Sequence, residues 1–214
     1  MLRAPDPVLR VDAAAVASNV AFVQELAKGE TILAVIKDGA YGHGLIAMAR
    51  ALSAAGIRHF CTASVEEAVL LRQSGIPGEV SNLRLFRRDE IQAIAAHDIL
   101  QTVFTTEHLE LLSSLDRPVR VHVKIDTGMN RFGVPWEKAP PFIEEVQRRP
   151  TLRLVSLFST LGEDHDSDLL QIERFQKIRN AVKSDGVLWH LRSSHGILHH
   201  PDVRFGTIRT GSLL

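Results

Sequence analysis

Ile32-Leu33-Ala34-Val35-Ile36 is an unbroken apolar run that ends in Lys37. A turn, Asp38-Gly39-Ala40-Tyr41-Gly42-His43-Gly44, leads from it into a segment over 45–55 with helical spacing of its apolar residues. A short β-branched run bounded by turn residues reads as a buried strand, and apolar residues at three- and four-residue intervals read as a helix. The same unit recurs along the chain. Strand candidates lie at 59–63, 83–86, 100–104, 119–125, 152–158 and 187–191, and Thr207 and Ile208 begin a last one. Helix candidates lie between them at 65–73 (ended by Gly75 and Pro77), 88–96, 107–114, 136–148 and 169–182, with a short helical piece after Ser194. Strands that alternate with helices are parallel, because only a crossover element returns the chain to the same end of the sheet. Eight such units in 214 residues predict an α/β fold, a closed (β/α)8 TIM-type barrel of parallel strands. An open doubly wound sheet is the alternative. No spacer rich in Gly, Ser or Pro divides the chain, so 1–214 is expected to be a single domain.

The composition narrows the class of partner. Hydrophobic residues make up 45% and charged residues 23%, with 25 Lys and Arg against 25 Asp and Glu, so nothing favours nucleic acid or an anionic membrane. Cys61 is the sole cysteine, which excludes an internal disulfide and fits a reducing, cytoplasmic setting. Residues 1–12 carry charges and two prolines and show no apolar leader segment. No apolar run reaches the roughly 18 residues of a membrane span, and no metal site is read from the sequence.

In such a barrel, chemistry belongs at the C-terminal ends of the strands. Lys37 stands at one of these. A lysine at the mouth of an apolar strand is expected to be partly desolvated, which favours the neutral amine that attacks an aldehyde, although a strand-end lysine also commonly points to water. Val121, Val123 and Ile125 alternate as in a strand, which Thr127-Gly128 breaks. Lys124 and Asp126 are a candidate pair that satisfy each other. Ser193 and Ser194 follow a strand and open a helix, either as an ordinary cap or as part of a phosphate cup.

The text of these segments carries more than their position. Lys37-Asp38-Gly39-Ala40-Tyr41-Gly42-His43-Gly44 resembles the cofactor-lysine signature of alanine racemases. Lys124-Ile125-Asp126-Thr127-Gly128-Met129-Asn130-Arg131-Phe132-Gly133 resembles a second motif of that family. His190-Leu191-Arg192-Ser193-Ser194 and Arg209-Thr210-Gly211-Ser212-Leu213 resemble its phosphate and ring-nitrogen segments. The resemblance covers nearly the whole chain. It implies pyridoxal 5'-phosphate as cofactor, alanine as the small amino-acid substrate, and a homodimer. By it, Lys37 is the Schiff-base lysine and one catalytic base, and Tyr41 fixes the lysine and cofactor. Arg131 is the second catalytic residue, serving the cofactor phenolate and the substrate carboxylate. Arg209 faces the pyridine nitrogen and is supported by His190. Ser193, Ser194, Gly211 and Ser212 hold the phosphate. In some members the lysine matching Lys124 is carbamylated.

Three segments depart from the family text. Asp38-Gly39 replaces Ala followed by Asp or Asn, Ser193 stands for Asn, and Thr160 stands for the histidine beside the cofactor ring. Family members continue past the segment matching Leu213-Leu214 into a β-rich domain that supplies a tyrosine base. The resemblance therefore implies a barrel truncated at its end, with a weakened dimer. A racemase for serine or a basic amino acid, a non-catalytic pyridoxal-phosphate-binding protein and a barrel without cofactor are the other readings.

Overall fold

The computed structural model describes residues 8–214. The first seven residues, on which the reading of an N-terminus without an apolar leader partly rests, lie outside the described residues. The first element is a helix, α1 (Ala13–Ala27), to which the sequence reading assigned nothing. Asp12 caps it by accepting from the Ala14 and Ala15 N–H groups, and Val16, Val20, Val23 and Ala27 form its buried face. Then come β1 (Thr31–Val35), a one-turn element α2 (Lys37–Tyr41), α3 (Leu45–Ala54), β2 (His59–Thr62), α4 (Val65–Gln73), β3 (Glu79–Asn82), α5 (Ile91–Ala96), β4 (Leu100–Val103) and α6 (Thr106–Ser113). The second half runs β5 (Val119–Asp126), β6 (Val134–Pro135), α7 (Ala139–Arg148), β7 (Leu152–Phe158), α8 (His165–Ala181), β8 (Leu188–His190), α9 (Ser194–His199) and β9 (Gly206–Thr210).

Every strand pairing is parallel. β1 pairs with both β2 and β9, and the ladder continues through β3, β4, β5, β7 and β8 back to β9. The β4–β5 pairing closes the ring into eight strands, with β6 added beside β5. The closed TIM-type barrel is therefore the fold, and the open sheet is excluded. On the outside of the sheet Val121, Val123 and Ile125 are fully buried in the layer beneath the helices. The inside is polar to an unusual degree: Ser81, Thr102, His122, Lys124, Ser156, His190, Thr207 and Arg209 are all buried.

One strand is misplaced in the sequence reading. The third strand is Glu79–Asn82, not 83–86. Val80 and Ser81 pair with Phe60 and Cys61, and the Glu79 N–H donates to Arg58 O. The apolar 83–86 segment lies beyond it, with Leu85 exposed and Phe86 packed 5.2 Å from the His108 ring. No described helix is long and apolar enough to cross a membrane.

Candidate active site

Lys37 follows β1 directly, and the backbone after it is unusual. Asp38, Gly39, Ala40 and Tyr41 have φ of 55°, 65°, 57° and 54°, a full turn in the left-handed region. Each non-glycine residue there costs roughly 1–2 kcal/mol, so Gly39 lowers the strain that three other side chains impose. The turn is held by Ala40 N–H to Ile36 O, Gly42 N–H to Asp38 O and Gly44 N–H to Gly39 O. Glu67 of α4 adds a bond from the Gly39 N–H at 2.7 Å. Its other oxygen accepts from the Ala63 N–H. Glu67 escaped the sequence reading: Ser64-x-x-Glu67 has the spacing of a capping box, and Ser64 does accept from the Glu67 N–H. The carboxylate, however, reaches across to clamp the turn after β1.

The Lys37 side chain is 42% exposed and its ammonium lies 3.9 Å from Asp38. Lys37 is thus partly buried at the strand end. Burial is much deeper at Lys124, of which 2% is exposed. Burial, with the Arg209 and Arg131 guanidinium groups nearby, pushes its amine down to about 7. Lys124 and Asp126 do not satisfy each other. The ammonium donates to Thr160 Oγ1 at 3.2 Å, and Asp126 accepts from the Gly128 and Asn130 N–H groups.

Arg209, on β9, is the centre of the interior network. It donates to His190 Nδ1 at 2.7 Å and, through its other terminal nitrogen, to Ser159 O and Thr160 Oγ1 at 3.0 Å each. Burial lowers its guanidinium to about 10, so it stays charged at neutral pH. Burial and the Arg209 charge hold His190 well below the ordinary histidine value. The His190 ring stacks on Phe158 at 4.9 Å and 4°. Arg131 is exposed, with its guanidinium 5.3 Å from the Phe132 ring.

On the other side of the mouth, Ser194 Oγ is 2.7 Å from Thr210 Oγ1 and accepts from the Gly211 N–H at 3.4 Å. Gly211 has no room for a side chain. A Cβ there would sit 2.5 Å from Tyr41 Oη and 2.8 Å from Val35 O. Burial, with Asp38 and Cys61 nearby, raises the Tyr41 phenol above its usual value, so it stays a hydrogen-bond donor. Ser193 donates to Glu163 at 3.3 Å.

One cavity of about 700 Å³ collects these groups at the C-terminal mouth of the barrel. Lys37, Tyr41, Lys124, Arg131, Thr160, Ser193, Ser194, Arg209, Gly211 and Ser212 all line it. His190 lies beneath it, in contact through Arg209. The lining has five Lys and Arg side chains and one carboxylate, Glu163. Among the described residues, Lys124, Arg131 and Arg209 have no carboxylate within ion-pair distance. Lys124 and Arg209 are buried without counter-charge, which is costly, and Arg131 adds an exposed charge at the mouth, so the lining suits an anion.

Comparison with known proteins gives that anion a context. The profile of the alanine racemase N-terminal domain matches residues 11–214. The chain belongs to the alanine racemase family. Within the family it is 35% identical to an alanine racemase of Syntrophobacter fumaroxidans, over 96% of this chain and 58% of that protein. It is 30% identical to an amino-acid racemase of Enterococcus faecalis, over 95% of this chain and 30% of that protein. The crystal structure of alanine racemase from E. faecalis superposes with a TM-score of 0.87 at 29% identity, over 94% of this chain and 57% of that one. The chain thus spans between about a third and three-fifths of the lengths of these relatives.

Proposed function

We propose that this barrel is the cofactor domain of a pyridoxal-phosphate-dependent amino-acid racemase, with alanine as substrate. The observation that carries the reading is the convergence of Lys37, Arg131, Ser194, Arg209, Gly211 and Ser212 on one cation-rich cavity. Its donors fit the group. Ser194, Ser212 and the Gly211 backbone suit a phosphate, and the Gly211–Tyr41 contact leaves no space that a side chain could take without displacing the phenol. When bound, pyridoxal phosphate supplies the electron-withdrawing ring that acidifies an amino acid's Cα–H.

The chain's own residues have separable tasks. Lys37 holds the cofactor carbonyl and moves a proton at Cα on one face of the substrate. Arg131 orients the substrate carboxylate, for which its fork of donors is suited. Arg209, held rigidly by His190 and the Ser159 carbonyl, presents a donor that does not surrender its proton at neutral pH. Ser193 is the weakest of the proposed phosphate ligands, because its hydroxyl already serves Glu163. Leu198 and Tyr41 are exposed at the rim of the cavity. We place the partner of a homodimer there, with association of this chain alone weak and concentration-dependent in size-exclusion chromatography.

Proton NMR of Cα–H exchange in D2O tests the reading, with pyridoxal phosphate added and each enantiomer of alanine supplied separately. Exchange of D-alanine alone, lost in Lys37→Ala, is the expected result for one base on one face. Exchange with serine or a basic amino acid but not alanine would move the substrate assignment. The 30% identity to a protein described as an amino-acid racemase is what favours that second reading. Bound cofactor without exchange of any amino acid would leave a binding protein without turnover.

A further inference from the structure

Thr160 stands between two buried cations. Its Oγ1 accepts from Lys124 Nζ at 3.2 Å and from Arg209 Nη2 at 3.0 Å. A hydroxyl has two acceptor positions and one hydrogen, so both acceptor positions are taken and the hydrogen must point elsewhere. Thr160 lines the cavity, and the cavity is where that hydrogen is free to go. Its backbone is fixed, since Gln171 Nε2 of α8 donates to Thr160 O at 3.0 Å.

Lys124 depends on this one oxygen. Its ammonium lies 5.1 Å from the centres of both the Phe132 and Phe158 rings. Aromatic faces attract a cation but replace only part of its hydration. Thr160 Oγ1 is its hydrogen-bond acceptor among the described residues. The charged groups facing Lys124 are Arg209 from β9, Arg131 from the loop after β5, and Asp126 on its own strand. His122 and His190 lie on the same interior face.

We propose that Thr160 is a positioning residue whose hydroxyl ties the Lys124 ammonium to the Arg209 guanidinium and turns its own hydrogen into the cavity, toward an electron-rich atom of the bound ligand. The second half of this statement rests on the cofactor reading above; the first half does not. The position is a departure from the family text, which has an imidazole there. A hydroxyl that accepts from two cations makes a stronger donor than one in water, because each bond polarises the next.

The test compares the chain with Thr160→Val, which keeps the shape and removes the hydroxyl, and Thr160→Ser, which restores it. The first measurement needs no cofactor: the titration midpoint of Lys124, followed by Cε–Nζ correlation spectra of 13C,15N-lysine-labelled protein. Loss of the acceptor should lower the midpoint by about one unit, a tenfold change in the protonation equilibrium, and serine should return it. The second measurement is the dissociation constant of pyridoxal phosphate, read by absorbance, which should rise about tenfold in the valine variant and recover with serine.

A midpoint that valine leaves unmoved overturns the tie between Thr160 and Lys124. So does a 13C-carbonate-derived carbamate on Lys124 of the unaltered chain, since the donating ammonium would then be gone. A midpoint that moves while cofactor affinity does not overturns the hydrogen donated into the cavity. If the unaltered chain takes up no cofactor and the midpoint still moves, the tie stands and the cofactor reading fails.

Discussion

Arg209 donates through Nη1 to the Nδ1 atom of His190 across 2.7 Å, and that contact dictates the state of the imidazole. A guanidinium has no lone pair to offer, so Nδ1 must be bare and Nε2 must carry the ring hydrogen. Nε2 lies 3.3 Å from Ser156 Oγ, which receives it. A second proton on this ring would face Arg209 in a buried setting, which is why the ring stays neutral.

His190→Leu keeps most of the volume and removes the acceptor. Arg209 Nη1 would then be a buried donor without a partner, at a cost of about 1–3 kcal/mol. Urea denaturation should show that loss, and His190→Gln, whose amide oxygen offers an acceptor, should recover part of it. Equal stability of the leucine variant would mean that the bond contributes nothing to holding Arg209.

Gly211→Ala should be more damaging than its size suggests. The added methyl meets the Tyr41 hydroxyl at 2.5 Å and the Val35 carbonyl at 2.8 Å. The first can swing away; the second belongs to β1 and cannot. Overpacking of this kind costs about 1–3 kcal/mol, so the melting temperature falls. Displacement of Tyr41 should also weaken pyridoxal phosphate binding, measured by absorbance titration. Unchanged affinity with lowered stability would separate Tyr41 from the cofactor site.

What could be read from the chain followed the exterior of the barrel. Val121, Val123 and Ile125 announce a strand because they pack under helices, and that strand, Val119–Asp126, carries Lys124 and leads into the loop that holds Arg131. The interior obeys another rule. Ser81 and Asn82 belong to β3, yet they look like loop residues because this strand buries hydrogen-bonded polar groups on both of its faces, Ser81 to Cys61 inside the barrel and Asn82 to Gln101 on the other face. That is why the third strand was placed four residues late. α1 was overlooked although Asp12 is a cap and the alanine-rich segment after it favours helix. Lys37 was found by its motif, while its ion pair with Asp38 was not, because the left-handed turn that carries Asp38 back beside it depends on Glu67, 30 residues away in sequence. No local pattern tells that Thr160 receives two cations.

His122 makes the fold sensitive to acid. It is fully buried, donates at Nε2 toward Asn82 O with Thr102 Oγ1 also in reach at 2.8 Å, and has no partner at Nδ1 among the described residues. Burial lowers it to about 4. Between pH 6.5 and 4 the unfolded chain takes up a proton here and the folded chain does not, so stability falls as pH falls, by at most about 1.4 kcal/mol per unit. His122→Gln should flatten that part of the stability profile, measured by urea unfolding at pH 7 and pH 5, leaving the share that belongs to His190. Parallel profiles for the two proteins would contradict the assignment.

Lys124 acts in the opposite range. Its folded-state value of about 7 lies below the 10.5 of a free lysine. Between these limits the unfolded chain binds the proton that the folded chain releases, so this group makes stability rise with pH from 7 to 10.5. Below 7 both states carry the charge and the full cost of burying it is present; above 10.5 both are neutral and the cost is gone. Lys124→Met removes the titration and places a thioether between the Phe132 and Phe158 rings, a favourable contact. The variant should therefore be more stable than the unaltered chain at pH 7, and its advantage should shrink by up to about 1.4 kcal/mol per unit toward pH 10. Urea unfolding of both proteins at pH 7 and pH 9.5 measures the difference. An advantage that stays constant with pH would mean that Lys124 is charged across the whole window, and that Thr160 and the two rings hold it as an ammonium more firmly than burial opposes it.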